Sequence, residues 1–222
     1  CLSFAHDLVR KPVPTFRDHA RAPRLAEACE NGKAAARLPR YIVAMPPTLD
    51  FWFDFASTYS YPAAMRIGPL AAASGVSLRW RPFLLGPIFK DQGWETSPFN
   101  LYPAKGRYMW RDLERICGAL KLPFAQPELF PQNSVLAARV ALVALAQDWG
   151  EDFCRAVYGA EFGAGRNIGE PAVIEDILQG LGQDADAAIE QAQSDATKPL
   201  LRAQTEAARK LGIFGAPSFV TA

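Results

Sequence analysis

A pair of serines three residues apart is the part of this sequence best suited to chemistry. Ser57 and Ser60 lie in the segment FASTYS, between an alternating apolar stretch and a helical pattern. The first turn of a helix carries free backbone N–H groups and a partial positive charge, and both stabilise an anion, including a thiolate. We therefore expect an anion-binding site at this junction. The alternative is that the two hydroxyls only cap the helix.

A second candidate segment is Gly215–Ala216–Pro217, which precedes a strand pattern close to the end of the sequence. A cis peptide bond before Pro217 would turn the backbone of Ala216 toward a ligand. Most bonds before proline are trans, however, so an ordinary turn is the alternative.

The third candidate is the segment 97–108, which lies between the first strands and the later helices. It supplies an amide, two cations and a phenol, which belong to Asn100, Lys105, Arg107 and Tyr108. Ligands often bind at such junctions between substructures. The alternative is a charged loop that is exposed to solvent.

The residue types that are absent after residue 44 limit the catalytic mechanisms that this part of the chain can use. Both histidines, His6 and His19, precede residue 45, so a Ser-His-Asp triad, a Cys-His pair or a histidine zinc site is excluded from the rest of the chain. None of the four cysteines forms C-x-x-C, and we expect Cys117 and Cys154 to be buried thiols. An enzyme here must use carboxylates, hydroxyls, tyrosine, lysine or a borrowed reactive group, without a metal ion.

The composition is that of an ordinary globular protein, with 50% hydrophobic and 21% charged residues among 222. The net charge of +1 gives no indication of a nucleic-acid partner, and no apolar run is long enough to span a membrane. The lack of a disulfide framework and of an apolar signal sequence predicts a cytoplasmic protein.

The two ends of the sequence differ from its body. Residues 1–44 are basic, rich in proline, arginine and alanine, and without sustained periodicity. We expect them to be a non-native or disordered extension, with Met45 as the true start; an organellar transit peptide is the alternative. The sequence also stops as a strand pattern begins, so we expect a further strand and helix to be missing there.

The elements that must position the candidate residues begin with a strand, a helix and a second strand. Residues 48–55 and 76–83 alternate between apolar and polar side chains, and a helical pattern with Pro62 in its first turn lies between them. This order predicts a βαβ unit with two parallel strands. Residues 84–104 have the glycines and prolines of a loop, and helical patterns dominate from there to the final strand.

These segments together resemble a known family. The strand–S-x-x-S–helix unit, the helical block and the late Gly-Ala-Pro before a strand are similar to 2-hydroxychromene-2-carboxylate isomerases and their relatives, the kappa-class glutathione transferases. The matching stretches are Leu49–Pro62, Pro98–Arg115, Asn133–Leu142 and Gly212–Val220. The resemblance implies an α/β fold, namely a thioredoxin-like (DsbA-type) domain with a helical insertion, whose C-terminal strand and helix are truncated here.

The resemblance also divides the body of the chain into three parts. Residues 45–84 form the first thioredoxin-like part, which is the βαβ unit. Residues 85–195 form the connecting loop and the helical insertion. Residues 196–222 form the second thioredoxin-like part, with a helix, a cis-proline loop and the start of a strand.

Glutathione is the cofactor that the resemblance implies. Ser57, as the catalytic residue, takes the position of the first cysteine in redox relatives, and its hydroxyl is expected to hydrogen-bond the glutathione sulfur and favour the thiolate. Serine without histidine is a poor nucleophile, so the sulfur itself is expected to attack. Asn100 matches a family asparagine near glutathione, and Ala216, before a cis Pro217, is expected to pair its backbone with the tripeptide.

The implied reaction converts 2-hydroxychromene-2-carboxylate to trans-o-hydroxybenzylidenepyruvate. The thiolate would add to the conjugated system, the ring-opened adduct would rotate about a single bond, and glutathione would then leave. Lys105, Arg107 and Tyr108 are the candidate residues for binding this aromatic substrate, with either cation holding its carboxylate. The family resemblance also implies a homodimer, with no nucleic-acid or membrane partner.

Three alternatives to the isomerase stay open at this point. The first is a kappa-class-like glutathione transferase with the same cofactor site and a more open substrate pocket. The second is a thiol–disulfide oxidoreductase, which is disfavoured because Ser57 and Ser60 replace both redox cysteines. The third is a non-catalytic glutathione-binding module that keeps the fold.

Overall fold

The computed structural model describes residues 46–221, and the extension predicted for residues 1–44 lies outside them. One π-helical turn lies at Gly159–Gly163. In chain order the other elements are β1 (Thr48–Phe53), α1 (Ser60–Ala73), β2 (Ser77–Pro82), α2 (Leu85–Asp91), α3 (Pro98–Leu101), α4 (Pro103–Leu120), α5 (Val135–Ala144), α6 (Gly150–Tyr158), α7 (Pro171–Gly180), α8 (Ala185–Gln193), α9 (Thr197–Lys210) and β3 (Ser218–Thr221).

The three strands form one mixed sheet in the order β2-β1-β3. β1 is central because it pairs in parallel with β2 and antiparallel with β3. Phe51 shows the register: it lies opposite Trp80 on one side and Phe219 on the other, with ring centroids 4.9 and 5.4 Å away. The predicted βαβ unit with two parallel strands is therefore confirmed.

The alternation along β1 gives the sheet two apolar faces. Side chains of successive strand residues point to opposite faces. Phe51 and Phe53 belong to the larger core, together with residues of α1 and the helices from α4 to α9. Trp52 belongs to a smaller core with Phe83 and with Ala208 of α9. A sheet that is covered on both faces can hold the end of β1 in a fixed position.

The segment that was predicted as a loop, residues 84–104, contains two short helices. Pro98 is the first residue of α3, and the Ser97 hydroxyl accepts a hydrogen bond from the N–H of Phe99 at 3.3 Å. Proline is well tolerated in the first turn of a helix, since the N–H that it lacks has no partner there. Sequence reasoning had counted these prolines only as loop signals, so it missed both helices.

No helix within residues 46–221 is long and apolar enough to cross a membrane. Cys117 of α4 and Cys154 of α6 are completely buried and free, which confirms the prediction of buried thiols.

Candidate functional site

The S-x-x-S turn lies where the chain leaves the central strand β1 and enters α1. The N–H of Ser57 donates to the carbonyl of Asp54 at 3.0 Å, which closes the turn. The Ser57 hydroxyl donates to the carbonyl of Ala216 at 2.8 Å, although the two residues are 159 positions apart. The bond between Ala216 and Pro217 is cis, as the family resemblance implied. The fold therefore brings the first two candidate segments into direct contact.

Backbone donors accompany the Ser57 hydroxyl. Within residues 46–221, the N–H groups of Thr58 and Tyr59 donate to no acceptor. No side-chain hydrogen bond caps α1, so the alternative that the serines serve as helix caps does not hold. Unpaired N–H groups at a helix start attract anions. The turn thus offers one hydroxyl and two amides to a negatively charged group.

Two side chains of the turn fasten it to α4. The Tyr59 hydroxyl donates to the carboxylate of Asp112 at 2.9 Å, and the Thr58 hydroxyl donates to the sulfur of Met109 at 3.2 Å. Burial, together with the hydrogen bond to Asp112, raises the pKa of Tyr59 to about 12. The Tyr59 phenol therefore stays protonated at neutral pH and holds the turn in place.

A cavity of about 590 Å³ opens beside this turn. Its polar groups include Ser57, Lys105 and Asn133. The Lys105 ammonium lies 5.8 Å from the centroid of the Phe99 ring. The walls are mostly apolar and include Leu84, Phe89, Trp94, Phe99, Phe130 and Phe214. Such a cavity suits an aromatic ligand with a few polar groups.

The cavity separates the candidate residues into two groups. Ser57, Ala216 and Lys105 line it. Four other candidates are not among its lining residues, namely Asn100, Arg107, Tyr108 and Pro217.

The local geometry of α4 and the contacts of Asn100 explain why these candidates do not line the cavity. α4 advances by 3.6 residues per turn, so Arg107 points away from the side that carries Lys105. Tyr108 is 67% exposed. The Asn100 amide donates to the carbonyl of Phe130 at 3.0 Å and to the Thr96 hydroxyl at 3.2 Å. Asn100 therefore ties together two wall segments of the cavity.

Sequence reasoning missed Asp54, which holds the site together. One carboxylate oxygen accepts from the Ser134 hydroxyl at 2.7 Å and from the N–H of Ala56 at 3.1 Å, and the other accepts from the N–H of Leu85 at 2.7 Å. Its carbonyl also accepts from the Tyr158 hydroxyl at 3.0 Å. Burial raises the pKa of Asp54, and the hydrogen bonds from Leu85 and Ser134 oppose this rise. The signal for Asp54 in the sequence was its position, since it is a charged residue directly between a strand and the S-x-x-S turn.

Glu161 is the second residue that sequence reasoning missed. It lies in the π-helical turn after α6, is completely buried, and neither carboxyl oxygen has a hydrogen-bond partner within residues 46–221. Burial raises the pKa of Glu161 well above its usual value, and the nearby charge of Asp54 raises it further. Because an isolated buried charge is very costly, Glu161 is expected to be protonated at neutral pH. Its signal in the sequence was weak: a single acid between Ala160 and Phe162.

Replacing Glu161 with methionine is expected to raise the free energy of unfolding by roughly 1–3 kcal/mol at pH 7.5, because it removes an unsatisfied buried polar group. This gain in the free energy of unfolding should grow as the pH rises, because the wild type alone loses stability with pH at this position. A carboxyl with a raised folded-state pKa contributes stability that is complete below its unfolded pKa of about 4.3 and is lost as the pH rises through the folded-state value. Urea unfolding from acidic to mildly alkaline pH would measure this slope, which the variant should lack.

The matched control for this experiment is Glu190→Met, because Glu190 is an exposed glutamate on α8. It should change neither the stability nor its pH dependence appreciably. A loss of stability in Glu161→Met at neutral pH would mean that the carboxyl is ionised and has a partner.

The chain is similar to several known proteins. The family model of the DsbA-like thioredoxin domain matches residues 48–222. The 2-hydroxychromene-2-carboxylate isomerase of Sphingobium xenophagum is 33% identical over 175 residues, which cover 78% of this chain and 88% of that protein. Human glutathione S-transferase kappa 1 is 28% identical over 185 residues, which cover 78% of this chain and 80% of that protein.

A solved structure has a similar backbone. It is that of a 2-hydroxychromene-2-carboxylate isomerase, with a TM-score of 0.68 and 26% identity, covering 79% of this chain and 85% of that one. This similarity and the family match confirm the predicted thioredoxin-like (DsbA-type) fold class. The chain belongs to the DsbA-like thioredoxin domain family, within the group that contains the 2-hydroxychromene-2-carboxylate isomerases and the kappa-class glutathione transferases.

Proposed function

We propose that this protein is a glutathione-dependent isomerase that converts 2-hydroxychromene-2-carboxylate to trans-o-hydroxybenzylidenepyruvate, or isomerises a related aromatic catabolite. The observation that carries the proposal is the Ser57 turn, where one hydroxyl and two N–H groups without an acceptor in the described part of the chain adjoin an apolar cavity. Relatives that are named as isomerases and as glutathione transferases support the same chemistry. The homodimer and the cytoplasmic location predicted from the sequence are part of this proposal.

The residues at the turn fit glutathione. When bound, glutathione would supply a thiolate nucleophile that the turn itself lacks, since the turn carries serines where redox relatives carry cysteines. The Ser57 hydroxyl and the N–H groups of Thr58 and Tyr59 are donors, as a thiolate requires. The Ala216 carbonyl, which lines the same cavity, is an acceptor for a peptide N–H. We assign the binding of the sulfur to Ser57 and that of the peptide backbone to Ala216.

Lys105 is the residue that we assign to the substrate carboxylate. Within residues 46–221 it is the one basic side chain that lines the cavity. Lys105→Met should raise KM for 2-hydroxychromene-2-carboxylate by about 10- to 100-fold, the usual effect of losing a hydrogen bond to a charged group. Steady-state kinetics would measure it. Arg107→Met is the matched control, because Arg107 is exposed and outside the cavity lining. An unchanged KM in Lys105→Met would contradict this assignment.

The proposed reaction has a direct test. The absorbance of 2-hydroxychromene-2-carboxylate would be followed with the protein, in the presence and absence of glutathione. Turnover that requires glutathione and leaves its concentration unchanged would support the isomerase. Measurable binding of glutathione without turnover would overturn it and favour a non-catalytic glutathione-binding module.

A kappa-class-like glutathione transferase is the second candidate function. Similarity to human glutathione S-transferase kappa 1 over most of both chains favours it. The two activities differ in stoichiometry, because a transferase consumes one glutathione for each electrophile whereas an isomerase recovers it. Measuring free thiol during turnover of an aromatic electrophile therefore separates them.

A further inference from the structure

A second cavity of about 530 Å³ lies beside the first one. α9 supplies most of its lining, and α5 and the start of α2 supply the rest. Leu84, Pro87 and Val135 line both cavities, so these three residues form a ridge that the two cavities share. We call the second cavity the basic groove, since four of its lining residues are basic, namely Arg139, Lys198, Arg202 and Arg209.

The carboxylates near the basic groove are already engaged. Glu206, the one acid in its lining, pairs with Arg209 at 2.9 Å, and Asp91 pairs with the same guanidinium at 2.6 Å. Asp195 pairs with Lys198 at 3.2 Å. These pairs leave two of the four basic residues, Arg139 and Arg202, without an ion pair inside the described range 46–221.

Arg139 is the more informative of the two. Its Nε atom is buried and has no hydrogen-bond partner in the described part of the chain, although the residue lies on α5 against α9. The Arg139 side chain as a whole is half-buried, so the cost falls on its Nε–H donor alone. A buried donor without an acceptor is costly, so such a donor normally faces an acceptor group. An arginine fork matches the two oxygens of a carboxylate or a phosphate. Among residues 46–221, the groove thus presents two arginines without an acidic partner, and these suit a negative group.

We propose that the basic groove binds an anionic arm, a carboxylate or a phosphate, of the substrate whose reactive part lies in the Ser57 cavity. The arm crosses the shared ridge of Leu84, Pro87 and Val135, which is apolar and suits an aliphatic or aromatic linker. The Ser57 cavity itself offers a single basic side chain, Lys105, so a second negative group is better accommodated in the groove. The substrate class is thus an extended aromatic electrophile with an acidic end. This inference rests on the proposed function for the reactive end of the substrate.

The test uses aromatic enones that react with glutathione and carry an alkyl chain of graded length. One series ends in a carboxylate and the other in its methyl ester. At the chain length that reaches the groove, we expect kcat/KM for the acid to exceed that for the ester by about 10-fold or more. The ratio should fall toward one in Arg139→Gln and in Arg202→Gln. High salt should lower the ratio as well, because the contact is ionic.

Two further variants serve as controls for this test. Arg139→Lys preserves the positive charge and should retain part of the preference for the acid. Arg66→Gln removes an exposed arginine of α1 that lines neither cavity, and it should leave the ratio unchanged. Thermal unfolding would check that each variant is folded. Equal rates for acid and ester at every chain length, or a preference that persists in the Arg139→Gln/Arg202→Gln double variant, would overturn the proposal.

Binding without glutathione separates this inference from the proposed function. Calorimetric titration with the carboxylate series needs no turnover. Acid-selective binding that is lost in Arg139→Gln would support the groove even if no compound in either series reacted. Turnover of 2-hydroxychromene-2-carboxylate, together with acid and ester that bind equally, would support the isomerase and overturn the groove.

Discussion

Ser57→Ala is expected to lower glutathione-dependent kcat/KM by about 10- to 100-fold, the effect of removing one hydrogen bond to a charged group. In the structure the Ser57 hydroxyl donates to the Ala216 carbonyl at 2.8 Å. A thiolate in the cavity is a stronger acceptor than a carbonyl, so the hydroxyl would turn to the sulfur and leave the carbonyl to the peptide backbone. Without Ser57, the two N–H groups of Thr58 and Tyr59 would stabilise the sulfur alone.

The same variant should raise the thiol pKa of bound glutathione by about one to two units. The ultraviolet absorbance of the thiolate, titrated against pH, measures this shift independently of turnover. Ser57→Thr keeps a hydroxyl and should recover part of both effects. Ser60→Ala is the matched control, because Ser60 belongs to the same S-x-x-S motif but is completely buried and does not line the cavity. If Ser57→Ala left both the pKa and kcat/KM unchanged, the role assigned to Ser57 would be wrong.

Asp54→Asn is expected to lower the free energy of unfolding by about 3–5 kcal/mol, the range for disrupting a buried and strongly hydrogen-bonded ionic group. The two backbone N–H donors explain why an isosteric change should cost so much. One carboxylate oxygen accepts from Ala56 and the other from Leu85. An asparagine amide would point its NH₂ group at one of these N–H groups, so a donor would face a donor.

Asp50→Asn is the matched control for this prediction. Asp50 lies on the same strand, β1, but its carboxylate pairs with Arg79 and Arg81 at 2.6 and 3.3 Å near the surface. Pairs of this kind contribute about 0–1 kcal/mol. Urea unfolding of both variants gives the comparison. A smaller loss in Asp54→Asn than in Asp50→Asn would mean that the buried hydrogen bonds of Asp54 contribute little.

Loss of Asp54 should also disturb the Ser57 site, because Asp54 joins segments that are distant in the chain. Its side chain accepts hydrogen bonds from Leu85 at the start of α2, from Ser134 just before α5 and from the N–H of Ala56, next to Ser57. Asp54→Asn keeps the backbone carbonyl that closes the turn, so the loss comes from these side-chain bonds. A variant that is still folded at low temperature is therefore expected to bind glutathione less tightly than the wild type.

The elements of this fold could be predicted from the sequence wherever the signal was local. The alternation around Phe51 and Phe53 indicated β1, and the apolar stripe of Met109, Leu113 and Cys117 indicated the buried side of α4. In such elements the spacing of the apolar residues predicts which residues are buried, because apolar residues at each repeat face the same side of the strand or helix. The short helices α2 and α3 were missed because their glycines and prolines are also typical of loops.

The sequence by itself determined the positions of the longer elements, the S-x-x-S turn at a strand–helix junction, the Ala216–Pro217 segment and the family. Only the tertiary structure decided which polar residues meet. It separated Lys105 from Arg107, enclosed Asp54 and Glu161, and left the Nε atom of Arg139 buried without a hydrogen-bond partner among residues 46–221. The reason is that periodicity reports the apolar side of each element, whereas the burial and the partners of a charged group depend on packing between segments far apart in the chain.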